Sequence, residues 1–142
     1  QLDRFLMRLG LGAPDRAAVR ALLQGHDRRD LLKTMPAALS PAELHTLQGW
    51  TRGVHASPAL LDYLQDLLAA SRAAGRGLSP RAGLAVLAAA RAWALINGRA
   101  MVMPEDIQAV AVPVMGHRLE HAIEGQTGAE TAQQLVEETP LP

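Results

Sequence analysis

Three serine–proline pairs, Ser40-Pro41, Ser57-Pro58 and Ser79-Pro80, do most to limit what this chain can become. A serine hydroxyl accepts from an amide in the first helical turn, and proline at the first helical position lacks an N–H that would have no partner there. Each pair therefore predicts a helix start. Ser40-Pro41-Ala42-Glu43 adds a glutamate at the third helical position and completes a capping box. After Ser57-Pro58, the residues Leu60, Leu61, Leu64, Leu67 and Leu68 recur at helical spacing and form one apolar stripe. The helix from Ser79-Pro80 runs to Asn97-Gly98, a left-handed stop signal. Its interior is apolar nearly all round, which predicts the central and most buried helix.

The remaining segments fill in around these. Pro14-Asp15 opens a helix through Leu23 that Gly25 closes, and residues 25–39 read as a charged, proline-punctuated linker. Met101-Val102-Met103 is a short extended piece, expected to pair with Val54-His55-Ala56. Pro104-Glu105-Asp106 starts another helix; Met103 cannot cap it, so the Asp106 carboxylate is expected to take the free amide protons. Pro113 breaks that helix before its last turns, which end at Leu119. Residues 124–129 read as mobile, and Thr131 to Glu138 as a short terminal helix before the Pro-Leu-Pro tail. Residues 7–12 read as one short strand, and a lone strand is not stable. That strand is expected to belong to a sheet upstream, and without it to be mobile or to pair with another copy. The fold expected is mainly all-α, a small helical bundle with one or two very short strands.

Composition narrows the function. At 142 residues there is room for one domain, or one small domain with an extra piece. Formal net charge is zero, which argues against a nucleic-acid partner. Without cysteine there are no disulfides and no thiolate metal sites. The longest apolar run, residues 82–98, is broken by Arg91, so no membrane span is expected, and no signal peptide is visible. A cytoplasmic protein follows. No G-x-x-x-x-G-K-[ST] occurs, so this chain cannot cradle a triphosphate unaided. The chain opens at Gln1 in mid-pattern, as a fragment of a longer protein would.

Arg81 is the first candidate functional residue. It falls in the first turn of its helix, where the dipole is already positive and a cation is unfavourable unless an anion meets it. A helix N-terminus with an arginine beside it makes a phosphate site. Nothing in this chain can hold a phosphate alone, so that anion is expected from outside it. Arg4, in Asp3-Arg4-Phe5, is the second candidate; it either projects towards a neighbouring subunit or forms a surface salt bridge with Asp3. His117-Arg118-Leu119-Glu120-His121 matches the inverted zincin pattern H-x-x-E-H. A catalytic zinc needs a third protein ligand, and Pro113 and Gly116 make a poor rigid platform, so no metal site is expected. His26, His45 and His55 share no ligand spacing. Trp50 and Trp93 are expected to fill core or interdomain space.

Several stretches together resemble the C-terminal part of the MoxR-type AAA+ ATPases, a bacterial group related to the AAA+ subunit of magnesium chelatase. They are Gln1-Leu2-Asp3-Arg4-Phe5-Leu6, Pro14-Asp15-Arg16, Leu78-Ser79-Pro80-Arg81-Ala82, Ala89-Ala90-Arg91-Ala92-Trp93-Ala94 with Gly98-Arg99, Val102-Met103-Pro104-Glu105-Asp106-Ile107 and His117-Arg118-Leu119. Two small departures are Met103, where the family more often has Thr or Ser, and Pro113, one residue late. The large one is the missing nucleotide-binding half.

The resemblance implies four parts. Residues 1–12 are the end of the ATPase core, with the arginine-finger segment and last strand; 13–39 are a helix and linker; 40–122 are the helical lid; 123–142 are a mobile segment and short terminal helix. It implies that Arg4 is the finger acting in trans, with Arg8 the nearby alternative, and that Arg81 is the sensor-2 arginine reading the γ-phosphate of its own subunit's ATP, beside Ser79 and Pro80. Arginine fingers contribute about 10³–10⁵ in rate. It further implies ATP and Mg²⁺ in the parent and none in the fragment. The parent is then an ATP hydrolase in a ring, expected as a hexamer, whose lid swings on the linker. Its role is chaperone-like regulation or maturation of client metalloenzymes such as methanol dehydrogenase, with von Willebrand A domain partners. The competing expectation is a free-standing helical interaction module with no nucleotide role.

Overall fold

The structure is a computed structural model that describes residues 2–25, 28–73, 75, 77–120, 123 and 125–142. The chain forms two compact units, one of residues 1–9 and 47–142, the other of residues 10–46.

In the smaller unit, α1 (Arg16–Leu23) starts on the Asp15 carboxylate, which accepts the Ala18 N–H at 2.6 Å. Gly25 follows with φ +82°, a conformation that glycine adopts without strain. The segment read as a linker contains a short helix, α2 (Arg28–Thr34), supported by the Lys33–Asp30 ion pair. No serine–proline signal marks its start, so it escaped the sequence reading. α3 (Pro41–Gly53) begins here on the expected capping box: Glu43 accepts the Ser40 N–H at 2.7 Å and the Ser40 hydroxyl oxygen accepts the Glu43 N–H at 3.2 Å.

The larger unit holds the core. α4 (Pro58–Ala73) is capped by the Ser57 hydroxyl, which accepts the Leu60 N–H at 3.1 Å. It buries Leu60, Tyr63, Leu64 and Leu67, while Leu61 lies at the exposed margin of the stripe. At its end, buried Ser71 donates to the Leu68 carbonyl and accepts the Leu78 N–H, which fixes the return into α5 (Pro80–Ile96). α5 meets its neighbours through small residues, Ala82, Gly83, Ala85, Ala89 and Ala90, with Val86 among them. A Cβ on Gly83 would stand 2.9 Å from Leu68 Cδ1, so the tip of that α4 side chain packs directly on the glycine.

α5 is not buried all round. Leu84 is 69 % exposed and Ile96 77 %, and Trp93 and Trp50 are exposed rather than core-filling. Alanine fits an inner or an outer helical face equally well, so composition overstated the burial. Gly98 stops the helix at φ +72°, as expected.

The two short extended pieces do meet. His55 and Met101 form a parallel bridge, with His55 N–H donating to the Ala100 carbonyl and Val102 N–H to the His55 carbonyl at 2.9 and 2.8 Å. α6 (Pro104–Met115) follows, and Asp106 takes the Met103 N–H at 2.8 Å as anticipated. The same carboxylate is gripped by Arg99, a partnership the sequence reading missed. Pro113 does not break α6 as expected: the helix runs through it to Met115, and only then does the chain tighten into a single 3-10 turn, Gly116–Arg118.

α7 (Gly128–Glu138) begins three residues before the helix expected there, on a Thr127–Glu130 capping box, and sends Ala132, Leu135 and Val136 into the core. The strand expected over residues 7–12 is absent. Instead Leu2–Arg4 forms a 3-10 turn, Met7 packs on the core, and Arg8 N–H donates to the Pro113 carbonyl at 2.8 Å. The opening segment, expected to be mobile or paired with another copy, thus docks on its own unit. Pro113 lies near the end of α6, where carbonyls lack helical partners, and Arg8 satisfies one of them.

Candidate functional site

The site grows from the start of α5. The Ser79 hydroxyl oxygen accepts the Ala82 N–H at 3.2 Å, and Pro80 occupies the first helical position. Arg81 comes next, exposed in the first turn, as its sequence position required. The anion that meets this helix start belongs to the chain itself. The Asp3 carboxylate accepts the Ser79 hydroxyl proton, at 3.1 and 3.0 Å to its two oxygens.

Asp3 pairs with Arg118, not with the adjacent Arg4. Arg118 Nε donates to Asp3 Oδ1 at 3.0 Å. Its Nη2 donates to the Asp3 and Phe5 carbonyls, and its Nη1 to the Leu6 and Val114 carbonyls. A guanidinium has five N–H donors in a rigid fork, and here every one has an acceptor. The Arg118 side chain is only 4 % exposed, against 43 % for Asp3. Burial alone would raise the Asp3 pKa. The hydrogen bonds from Ser79 and Arg118, and then the charges of Arg118 and Arg81, more than reverse that and hold the carboxyl below its ordinary value.

Arg4 is exposed and makes no ion pair with any described residue. Arg8 is exposed as well, but its backbone is tied to α6. Ser79, Arg81, Asp3 and Arg118 therefore gather at one place, and Arg4 stands on the turn they hold. Asp3 and Arg118 were the participants not identified from sequence. Asp3 was read only as a neighbour for Arg4, and Arg118 only as part of a matching string.

His117 is buried, and neither ring nitrogen has a partner among the described residues. It shares the lining of a cavity of about 380 Å³ with Phe5, Met7, Arg8 and Leu9. His121, the other histidine of the zincin-like string, and His26 lie outside the described residues. Among the described residues no three His, Cys, Asp or Glu side chains gather to hold a metal ion, and no helix is long and apolar enough to cross a membrane.

Residues 67–139, from within α4 to the end of α7, match the AAA lid domain family. The chain belongs to the AAA lid family. This AAA lid is similar to Protein MoxR of Paracoccus denitrificans, at 37 % identity over 82 % of the chain and 41 % of that protein. It is also similar to Chaperone MoxR1 of Mycobacterium tuberculosis, at 33 % identity over 84 % of the chain and 34 % of that protein. The kinship with the C-terminal part of MoxR-type AAA+ ATPases, read from the string around Ser79 to Trp93, is thereby supported. The AAA lid thus spans less than half the length of these relatives. A crystal structure of a Cytophaga hutchinsonii protein named as an ATPase superposes with a TM-score of 0.81, at 22 % identity, over 99 % of this chain and 48 % of that one. That likeness establishes the helical fold.

Proposed function

We propose that this chain is the lid, with the last edge of the core at residues 1–12, of a ring-forming AAA+ ATPase. In this reading Arg81 contacts the γ-phosphate of bound ATP and Arg4 reaches a neighbouring subunit's nucleotide. The observation that carries it is the exposed Arg81 on the capped start of α5, with Asp3 already seated on the Ser79 hydroxyl. A helix start that attracts a carboxylate also attracts a phosphoryl oxygen. A lid arginine that contacts ATP but not ADP supplies the differential interaction that any ligand-driven closure requires.

The parent would use ATP with Mg²⁺ and assemble as a hexameric ring in the cytoplasm. It would act as a chaperone-like regulator of client enzymes, alongside von Willebrand A domain proteins. The name Chaperone MoxR1 of a similar protein supports the chaperone-like part. The second reading is a free-standing interaction module, favoured by the exposed Leu84, Trp93 and Ile96 on α5.

The test is ATP turnover by the full-length ring. Arg81→Ala is expected to lower turnover by about 10- to 100-fold and to abolish nucleotide-dependent lid closure. Arg4→Ala subunits mixed with subunits unable to bind ATP are expected to regain activity at mixed interfaces. Unchanged turnover and closure in Arg81→Ala would refute the sensor role, and absence of complementation would refute the finger.

A further inference from the structure

We propose that Arg118 and Asp3 are positioning residues that lock the Arg4 turn to the start of α5, so that the two functional arginines of one chain move together. The proposal rests on reading Arg4 as the finger.

The geometry is specific to that turn. Arg118 Nη2 holds the carbonyl before Arg4, that of Asp3, at 3.2 Å, and the carbonyl after it, that of Phe5, at 2.5 Å. Nη1 adds the Leu6 carbonyl at 3.2 Å, and Nε holds the Asp3 side chain. Four of the five donors thus fasten residues 3–6, while the fifth fastens the guanidinium to the Val114 carbonyl of α6. Arg4 itself is left exposed on a backbone whose flanking carbonyls are fixed.

The second half of the device is Ser79. Its oxygen accepts the Ala82 N–H within α5 and its proton goes to Asp3, so one atom belongs to both the helix cap and the clamp. Any displacement of the α5 start that Arg81 makes on meeting a phosphate is delivered to Asp3, and through Arg118 to the Arg4 backbone. Lysine cannot replace Arg118, because a point charge with three donors cannot hold carbonyls spread across a planar fork.

The experiment uses the full-length ring with four variants: Arg4→Ala, Arg118→Lys, Asp3→Ala and the double variant Arg4→Ala/Arg118→Lys. Misplacing a catalytic group by about 1 Å costs on the order of 10²-fold. Arg118→Lys and Asp3→Ala are therefore expected to lower kcat by about 10- to 100-fold and to leave the KM for ATP within about twofold. The double variant is expected to be no slower than Arg4→Ala alone, since a clamp without its finger has nothing left to position. A merely structural Arg118 would instead lower the double variant by the product of the two single effects, and that result overturns the proposal. Unchanged kcat in Asp3→Ala also overturns it. Asp3→Ala removes the carboxylate but keeps every backbone bond of Arg118, so it reports even if Arg118→Lys does not fold. Unchanged turnover in Arg4→Ala is a separate result: it removes the finger itself, and this role with it.

Discussion

Arg99 closes both terminal guanidinium nitrogens on the Asp106 carboxylate, at 2.8 and 2.5 Å. Asp106 is 1 % exposed and also accepts the Met103 N–H, so the start of α6 is tied to a buried carboxylate whose lost hydration Arg99 offsets.

Arg99→Ala is therefore expected to destabilise the chain by about 3 kcal/mol, the low end of the range for leaving a buried charge unpaired, because Arg99 itself is 36 % exposed. Thermal unfolding followed by circular dichroism should show a fall of roughly 10 °C in Tm. A shift under about 2 °C would mean that water, not Arg99, stabilises the carboxylate.

Gly128 touches backbone on two sides. A Cβ there would collide with the Gly116 carbonyl oxygen and lie 2.8 Å from the Glu120 amide nitrogen. Backbone cannot swing aside as a side-chain tip does, so Gly128→Ala should cost about 3 kcal/mol, the upper end for overpacking. Gly49 is the control: it lies inside α3 with nothing within 4 Å of its would-be Cβ, and Gly49→Ala should stabilise by about 0.5–1 kcal/mol. Urea unfolding of the pair reads both signs.

Arg81→Ala should leave the isolated chain's stability within about 0.5 kcal/mol. Removing a cation from a helix start helps slightly, and losing its attraction for Asp3 hurts slightly. Equal melting curves would assign any loss of turnover to the nucleotide rather than to folding.

Acid should release the caps and the clamp. The carboxyls of Asp3, Glu43 and Glu130 are all held below their ordinary values, Glu43 and Glu130 by hydrogen bonds from Ser40 and Thr127. A carboxyl depressed by folding contributes stability that is complete above its unfolded pKa and is lost as pH falls through its folded one. Stability should thus be level with respect to these groups near neutrality and decline below the usual carboxylate range. Asp3→Asn should flatten part of that decline, measured as Tm against pH.

The helix starts were legible because capping is local: Ser40, Ser57 and Ser79 each act within three or four positions. Thr127-Gly128-Ala129-Glu130 carries the same kind of signal, but the neighbouring glycines drew it into a loop assignment. The opening segment was misread as a strand because its alternation is real while its partner is a helix end, Pro113. In the candidate site, the placement of Arg81 was legible from one violated rule, a cation in a first turn. Its companions were not, because Asp3 stands 76 positions from Ser79 and 115 from Arg118. Only the folded chain brings those distances to 3 Å.

The bridge between His55 and Met101 closes residues 55–101 into a circuit that contains all of α4 and α5. Neither helix can peel away from its outer end while the two hydrogen bonds hold. Deuterium uptake at the His55 and Val102 amides therefore times the opening of the whole hairpin, rather than local fraying. Torque applied at either end of this circuit is carried through it as through a closed link.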